Sequence, residues 1–119
     1  LVPLVADGFA IPPNSTGYTF SDNFPNQFGV GLKIYGLLPH MHTRGVHIKI
    51  DGPSNACLID IPKWDFHWQQ SYFRPTPFSL TNGQSLKMTC TWDNPTSSTI
   101  RWGENTSNEM CFAYIYVTP

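Results

Sequence analysis

The chain has 119 residues and a net charge of −1, and 40% of its residues are hydrophobic while only 13% are charged. This length suits one domain with a real hydrophobic core, and the low charge gives no electrostatic basis for binding nucleic acid or an anionic membrane. No apolar run approaches the roughly 20 residues that a transmembrane helix needs. Because the sequence begins Leu1-Val2-Pro3, without an initiator Met or a signal peptide, we expect a mature form or one half of a longer protein.

Alternating apolar and polar residues predict short β-strands separated by turns rich in Gly, Pro and Asn. The turn signals include Asp51-Gly52-Pro53 and Asn82-Gly83. No helical period stands out, so we predict an all-β chain that forms one antiparallel β-sandwich or jelly-roll domain over residues 1–119. The alternating segments are residues 30–34, 46–50, 64–69 and 86–92, and an apolar segment follows at 110–117.

Side-chain parity in the last segment places Met110 and Cys111 on opposite faces of the strand. Cys111 shares its face with Ala113 and Ile115, which are small or apolar enough for an interior, whereas the face of Met110 carries two tyrosines. Cys90 lies on the apolar face of its own strand. We therefore expect Cys90 and Cys111 to meet inside the sandwich as a disulfide, and Met110 to point outward.

His40-Met41-His42 is the candidate metal-binding motif. In an extended chain, two imidazoles at this spacing project from the same face, with Cα atoms roughly 6.6 Å apart. With the thioether of Met110 they would supply two nitrogens and one soft sulfur, which suits copper cycling between Cu(I) and Cu(II) better than zinc, magnesium or calcium. Taken alone, the motif is equally compatible with two surface histidines, and a Met in an apolar strand is more often core filling.

Five further residues have side chains that could take part in such a site. Met41 should point away from the two imidazoles, and His47 should face solvent. His67 reads most simply as a surface histidine and otherwise as a residue that supports the site or lines a cleft. Arg44 could contact an anionic substrate, although a solvated arginine is the simpler interpretation. Cys57 should be buried in a short strand or paired with a partner outside the chain.

The candidate residues belong to a longer set of motifs that resembles a known family. His40-Met41-His42 is followed by Trp64-Asp65-Phe66-His67-Trp68-Gln69, then by Asn82-Gly83-Gln84-Ser85-Leu86 leading to Cys90, and finally by Gly103-x-x-Thr106-x-x-Glu109-Met110-Cys111. Over roughly residues 30–117 this order resembles the C-terminal, catalytic-copper domain of the copper type II, ascorbate-dependent monooxygenases. That family includes peptidylglycine α-hydroxylating monooxygenase and dopamine β-monooxygenase.

The resemblance implies that His40, His42 and Met110 bind one catalytic copper ion and that Cys90 and Cys111 form a family disulfide. It implies O₂ activation to hydroxylate a C–H bond of a small-molecule or peptide substrate, with ascorbate or another external electron donor. It also implies a second copper domain in the same parent protein, so the isolated domain should turn over poorly. The residues expected behind the ligands or in the substrate cleft are His67, Arg44 and Glu109.

Some features differ from the animal enzymes of this family. Met41 stands where they usually carry Thr, His67 stands where Asn is typical, and Cys57 has no disulfide partner, which together indicate a distant relative with a different substrate. Two other functions stay open: a stand-alone copper-binding module for storage, delivery or sensing, without hydroxylase activity, and a structural sandwich with incidental histidines. Disulfide use and copper chemistry predict an extracytoplasmic location, in the periplasm, at the cell surface or secreted.

Overall fold

The computed structural model describes all 119 residues and consists of ten β-strands and one short 3₁₀ turn at Pro53–Asn55, with no α-helix. No helix long and apolar enough to cross a membrane is found. The strands are β1 (Val2–Val5), β2 (Ala10–Ile11), β3 (Ser15–Pro25), β4 (Leu32–His40), β5 (Gly45–Asp51), β6 (Cys57–Ile61), β7 (Tyr72–Leu80), β8 (Ser85–Asn94), β9 (Ile100–Arg101) and β10 (Phe112–Thr118).

Two four-stranded sheets form the sandwich, in the orders β1-β10-β4-β7 and β3-β8-β5-β6, and β2 pairs with β9 at one side. Every strand pairing is antiparallel. One continuous core lies between the sheets, and it draws Ile34 and Leu37 from the first sheet and Ile50 and Trp92 from the second. The prediction of an all-β antiparallel sandwich is therefore confirmed.

The inward face of β8 follows the predicted period of two. Leu86, Met88, Cys90 and Trp92 are each at most 1% exposed, as expected of a strand that covers the core on one face. The turn before it is the predicted one, because Gly83 has a φ of +88°, in the left-handed region that favours glycine.

The disulfide between Cys90 and Cys111 crosses the core. Cys90 lies on β8 of the second sheet, and Cys111 directly precedes β10 of the first sheet. Cys111, Ala113 and Ile115 are buried, whereas Met110 is partly exposed, so the parity argument holds on both faces. The cross-link fixes the start of β10, which is where the candidate thioether is attached.

The strand predicted over residues 64–69 is wrong. This segment connects β6 of one sheet to β7 of the other, and it turns instead of pairing. Trp68 N–H donates to the Asp65 carbonyl (3.0 Å), and the Asp65 carboxylate accepts the His67 N–H (2.9 Å). Local bonds of this kind compete with a strand ladder. The backbone bond that joins the segment to a sheet runs from the Trp64 N–H to the Val46 carbonyl of β5 (2.8 Å).

Two further differences concern the sheet edges. Cys57 is a free, exposed cysteine and not a buried one, because it begins β6, the edge strand of its sheet. The pattern also failed to predict β3 and β7. β3 contains two Ser and two Thr, and β7 carries Pro75 and Pro77, which are compatible with an edge strand but weaken its strand signature.

Candidate metal centre

Strand register brings His40 and Met110 to the same face of the first sheet. His40, the last residue of β4, pairs with Phe112, the first residue of β10. Directly opposite residues in an antiparallel pair project to the same side, and Met110 lies two residues before Phe112, so it shares that side. His40 and Met110 accordingly line one cleft.

His42 follows in the turn between β4 and β5, and Met41 anchors that turn. The Met41 side chain is fully buried, so the two histidines flank an inward-pointing residue, as predicted. Gly45 makes room for it, because a Cβ there would lie 2.8 Å from Met41 Cε and 2.8 Å from Trp64 Cδ1. With Met41 fixed, the two imidazole rings lie with centroids 5.2 Å apart and planes at 77°.

Each imidazole uses its Nδ1 atom in a hydrogen bond to a carbonyl oxygen. His40 Nδ1 lies 2.6 Å from Gln69 Oε1, and His42 Nδ1 lies 2.9 Å from the backbone oxygen of Asn108. Carbonyl oxygens only accept, so both Nδ1 atoms must carry the proton. The orientation of the Gln69 amide is itself set, because its Nε2 donates to the Phe66 carbonyl (2.8 Å). In the neutral form of each ring, this tautomer leaves the Nε2 lone pair for another partner.

Glu109 is a fully buried carboxylate that connects the two parts of the site. Its Oε1 accepts hydrogen bonds from the His42 N–H (2.9 Å), the Trp92 indole N–H (2.9 Å) and its neighbour Met110 N–H (3.3 Å). Its Oε2 accepts the backbone N–H of Arg44 (2.9 Å). The backbones that carry His42 and Met110 are thus tied to one oxygen atom.

Residues 64–69, which were predicted to form a strand, form a loop that makes one wall of the site. The Trp64 indole N–H donates to the His42 carbonyl (3.2 Å), and the Phe66 ring meets the His42 ring edge to face, with centroids 6.1 Å apart. Gln69 and Asn108 were missed by sequence reasoning. An amide and a backbone carbonyl carry no signal of their own, and only their proximity to the histidines reveals the role.

Of the other candidates, Glu109 alone has a side chain that hydrogen-bonds to the backbones of His42 and Met110. His67 is exposed, and its ring packs against Phe66. The Arg44 side chain is exposed and borders a separate groove with Thr96 and Thr106, away from the cleft of His40 and Met110. His47 lies on β5 of the second sheet and hydrogen-bonds Asp60.

A cleft of about 550 Å³ opens beside His40 and Met110 and is the largest in the structure. The backbone of Glu109 bonds to both Arg101 and Gly103, so the Trp102 segment runs alongside Met110 and forms the opposite wall. The lining residues are Leu38, His40, Gln69, Trp102, Glu104, Met110, Phe112 and Tyr114.

The donor set fits a soft, redox-active metal ion better than a hard one. No group of three or more His, Cys, Asp or Glu side chains is placed to hold a metal. His40, His42 and Met110 would supply two imidazole nitrogens and one thioether sulfur. Imidazole suits several transition metals, while a thioether selects for Cu(I). His42 is only 6% exposed, and its pre-set tautomer lowers the reorganisation needed on binding.

Sequence comparison with protein families matches residues 1–119 to the copper type II ascorbate-dependent monooxygenase, C-terminal domain. No individual curated protein matches the chain. The family match covers the whole chain and agrees with the resemblance carried by the His-x-His and Glu-Met-Cys motifs. The chain belongs to the family of copper type II ascorbate-dependent monooxygenases, as a C-terminal domain.

Proposed function

We propose that this domain is the catalytic-copper half of a monooxygenase, in which His40 Nε2, His42 Nε2 and Met110 Sδ bind one copper ion. The observation that carries the proposal is the hydrogen bonding of both Nδ1 atoms to carbonyl oxygens. It leaves two lone pairs on rings whose centroids lie 5.2 Å apart, and His40 lines the same cleft as the partly exposed Met110. Such supporting hydrogen bonds are typical of histidines that ligate metals.

When bound, copper supplies the one-electron redox chemistry through which O₂ hydroxylates a C–H bond. Overall, one oxygen atom of O₂ enters the C–H bond and the other leaves as water, with two electrons and two protons from an external donor such as ascorbate. The residues of the chain position the metal ligands and the substrate. Gln69 and Asn108 fix the imidazoles, Glu109 sets the backbone of His42, and the cleft holds the substrate beside Met110.

The cleft favours the enzyme over a copper-storage, delivery or sensing module. A carrier needs the ligands alone, whereas a hydroxylase needs space for an organic molecule next to them. A cleft of about 550 Å³ lies in the range typical of small-molecule sites. We also propose that a second copper domain in the parent protein provides an electron, and that the domain works outside the cytoplasm, where the Cys90–Cys111 disulfide persists.

The test of the ligand set is X-ray absorption of the Cu(I)-loaded protein with a matched pair of methionine variants. Met110→Leu should remove the copper–sulfur scattering and weaken Cu(I) binding. Met41→Leu, between the two histidines but buried in the core, should leave both unchanged. Retention of the sulfur signal in Met110→Leu, or its loss in Met41→Leu, would contradict the proposed ligands.

The test of the activity is oxygen transfer by the copper-loaded domain supplied with ascorbate. With ¹⁸O₂ and a probe that carries a weak benzylic C–H bond, such as ethylbenzene, the alcohol product should contain ¹⁸O. Tight Cu(I) binding without a labelled product, both in the isolated domain and in the full parent protein, would favour the binding module.

A further inference from the structure

The residues that line the cleft beside His40 and Met110 indicate which class of ligand the cleft can bind. Five of the eight lining residues are hydrophobic. None of the seven Lys and Arg residues of the chain lines it, and its one acidic side chain, Glu104, is exposed. The cleft therefore offers apolar surface and no cationic partner for an anion.

The apolar surface is ordered as a row of rings along the outward face of β10. The Phe112 ring meets the Tyr114 ring edge to face, with centroids 4.8 Å apart, and meets the His40 ring in the same way at 6.5 Å. Tyr114 is 39% exposed, so its ring is available for contact with a ligand. A molecule that lies on Phe112 is therefore next to His40.

The one amide of the cleft is occupied within the protein, and two uncharged polar groups are left for a ligand. The Gln69 amide bonds at both ends, to His40 and to the Phe66 carbonyl. The Tyr114 hydroxyl and the Trp102 indole N–H remain without a hydrogen bond to the protein, and both are uncharged. They can satisfy a hydroxyl, ether or carbonyl group of a ligand, but neither can neutralise a full charge.

We propose that this cleft takes an uncharged, largely apolar substrate that packs against Phe112 and Leu38. The inference rests on the proposed function in taking the cleft as the substrate site. In the metal-free protein an anionic ligand would have to give up hydration without gaining a cationic side chain, and it would face the Glu104 carboxylate. Apolar contact is what the walls supply, and burial of apolar area is the term that can drive binding here.

The test uses the metal-free protein and three probes of one shape but different charge: benzyl alcohol, benzoate and benzylammonium. Chemical-shift mapping by NMR should place benzyl alcohol at Phe112, Tyr114 and Leu38. Benzoate should bind at least about tenfold more weakly, since an unpaired carboxylate has no partner in the cleft. Equal or tighter binding of benzoate or of benzylammonium, or shifts confined to another surface, would overturn the proposal.

Two variants identify the surface. Phe112→Ala should weaken benzyl alcohol binding several-fold, and Phe112→Leu, which keeps an apolar side chain, should retain most of it. Phe73→Ala is the matched control, because Phe73 is a 62% exposed phenylalanine on β7 of the same sheet that does not line the cleft. An equal loss in Phe73→Ala would also overturn the assignment.

Copper binding separates this inference from the proposed function. Probe binding at Phe112 in a protein that fails to bind Cu(I) would support the cleft and refute the copper site. Tight Cu(I) binding with no uncharged probe at Phe112 would leave the copper site intact and refute the substrate class.

Discussion

The carboxylate of Glu109 holds the backbone of His42 across 67 positions of sequence, through a hydrogen bond of 2.9 Å from the His42 N–H to Oε1. The same oxygen accepts the N–H of Met110. A residue that adjoins one candidate ligand in sequence thus fixes the chain that carries another. The relative position of the two backbone segments depends on a buried carboxyl group that is held by N–H groups and by no cationic side chain.

Substitution of Glu109 by Gln should destabilise the protein although it preserves shape. Gln can present its oxygen to the three donors at Oε1, but its NH₂ group then faces the Arg44 N–H, and one buried donor loses its acceptor. We expect a loss of about 1–3 kcal/mol in the free energy of unfolding, measured by urea denaturation.

The control for this prediction is Glu104→Gln. Glu104 is exposed and forms no hydrogen bond or ion pair within the protein, so its substitution should change the stability by less than about 0.5 kcal/mol. Equal effects of the two substitutions would mean that the hydrogen bonds to Glu109 contribute nothing specific.

Substitution of Gln69 by Leu should weaken Cu(I) binding and leave the fold intact. The His40 Nδ1–H would lose its acceptor, so the ring would be free to rotate or change tautomer. Loss of such a supporting partner typically lowers metal affinity about 10–100-fold. Competition with a Cu(I) chelator measures it, and Gln70→Leu, at the exposed neighbouring residue, should have no effect. Unchanged affinity in Gln69→Leu would remove this glutamine from the site.

Removal of the Cys90–Cys111 disulfide should cost about 2–5 kcal/mol of stability, the typical figure for a small domain. The bridge closes a loop of 21 residues in sequence and links the two sheets. The double variant Cys90→Ala/Cys111→Ala and the wild type are compared by urea denaturation without reductant. Cys57→Ser, at the exposed free cysteine, should match the wild type. A linked peptide missing from the non-reduced mass spectrum would contradict the bridge itself.

Copper should stabilise the native fold, because the proposed ligands lie on two separate segments that meet only when the sheet forms. At a free Cu(I) concentration about 100-fold above the dissociation constant, the gain should be about 2.7 kcal/mol. Thermal denaturation in buffered Cu(I) detects it as a raised Tm. His40→Gln should abolish the shift, whereas His47→Gln, on the other sheet, should preserve it. An equal shift in both variants would place the copper elsewhere.

Sequence periodicity was sufficient to predict which residues of the central strands face the core. The period of two in β8 put Cys90 inside, and the same rule in the last segment put Cys111 inside and Met110 outside. It failed for residues 64–69, where alternation of aromatic and polar residues serves a loop. There the Trp64 indole N–H bonds to the His42 carbonyl, the Phe66 ring packs on the His42 ring, and Trp64 also packs against the edge of the core.

By itself the sequence determined the all-β class, the disulfide and the inward or outward direction of side chains, because these follow from residue type and local period. It also determined the family, through the motifs that the chain shares with it. Only the tertiary structure decided that Gln69 and Asn108 orient the two imidazoles, that Glu109 ties His42 to Met110, and that the neighbouring cleft is apolar. These features join segments 29, 66 and 67 residues apart. Partners at such separations are set by strand register and by the packing of loops across the sheets, and local sequence does not encode either.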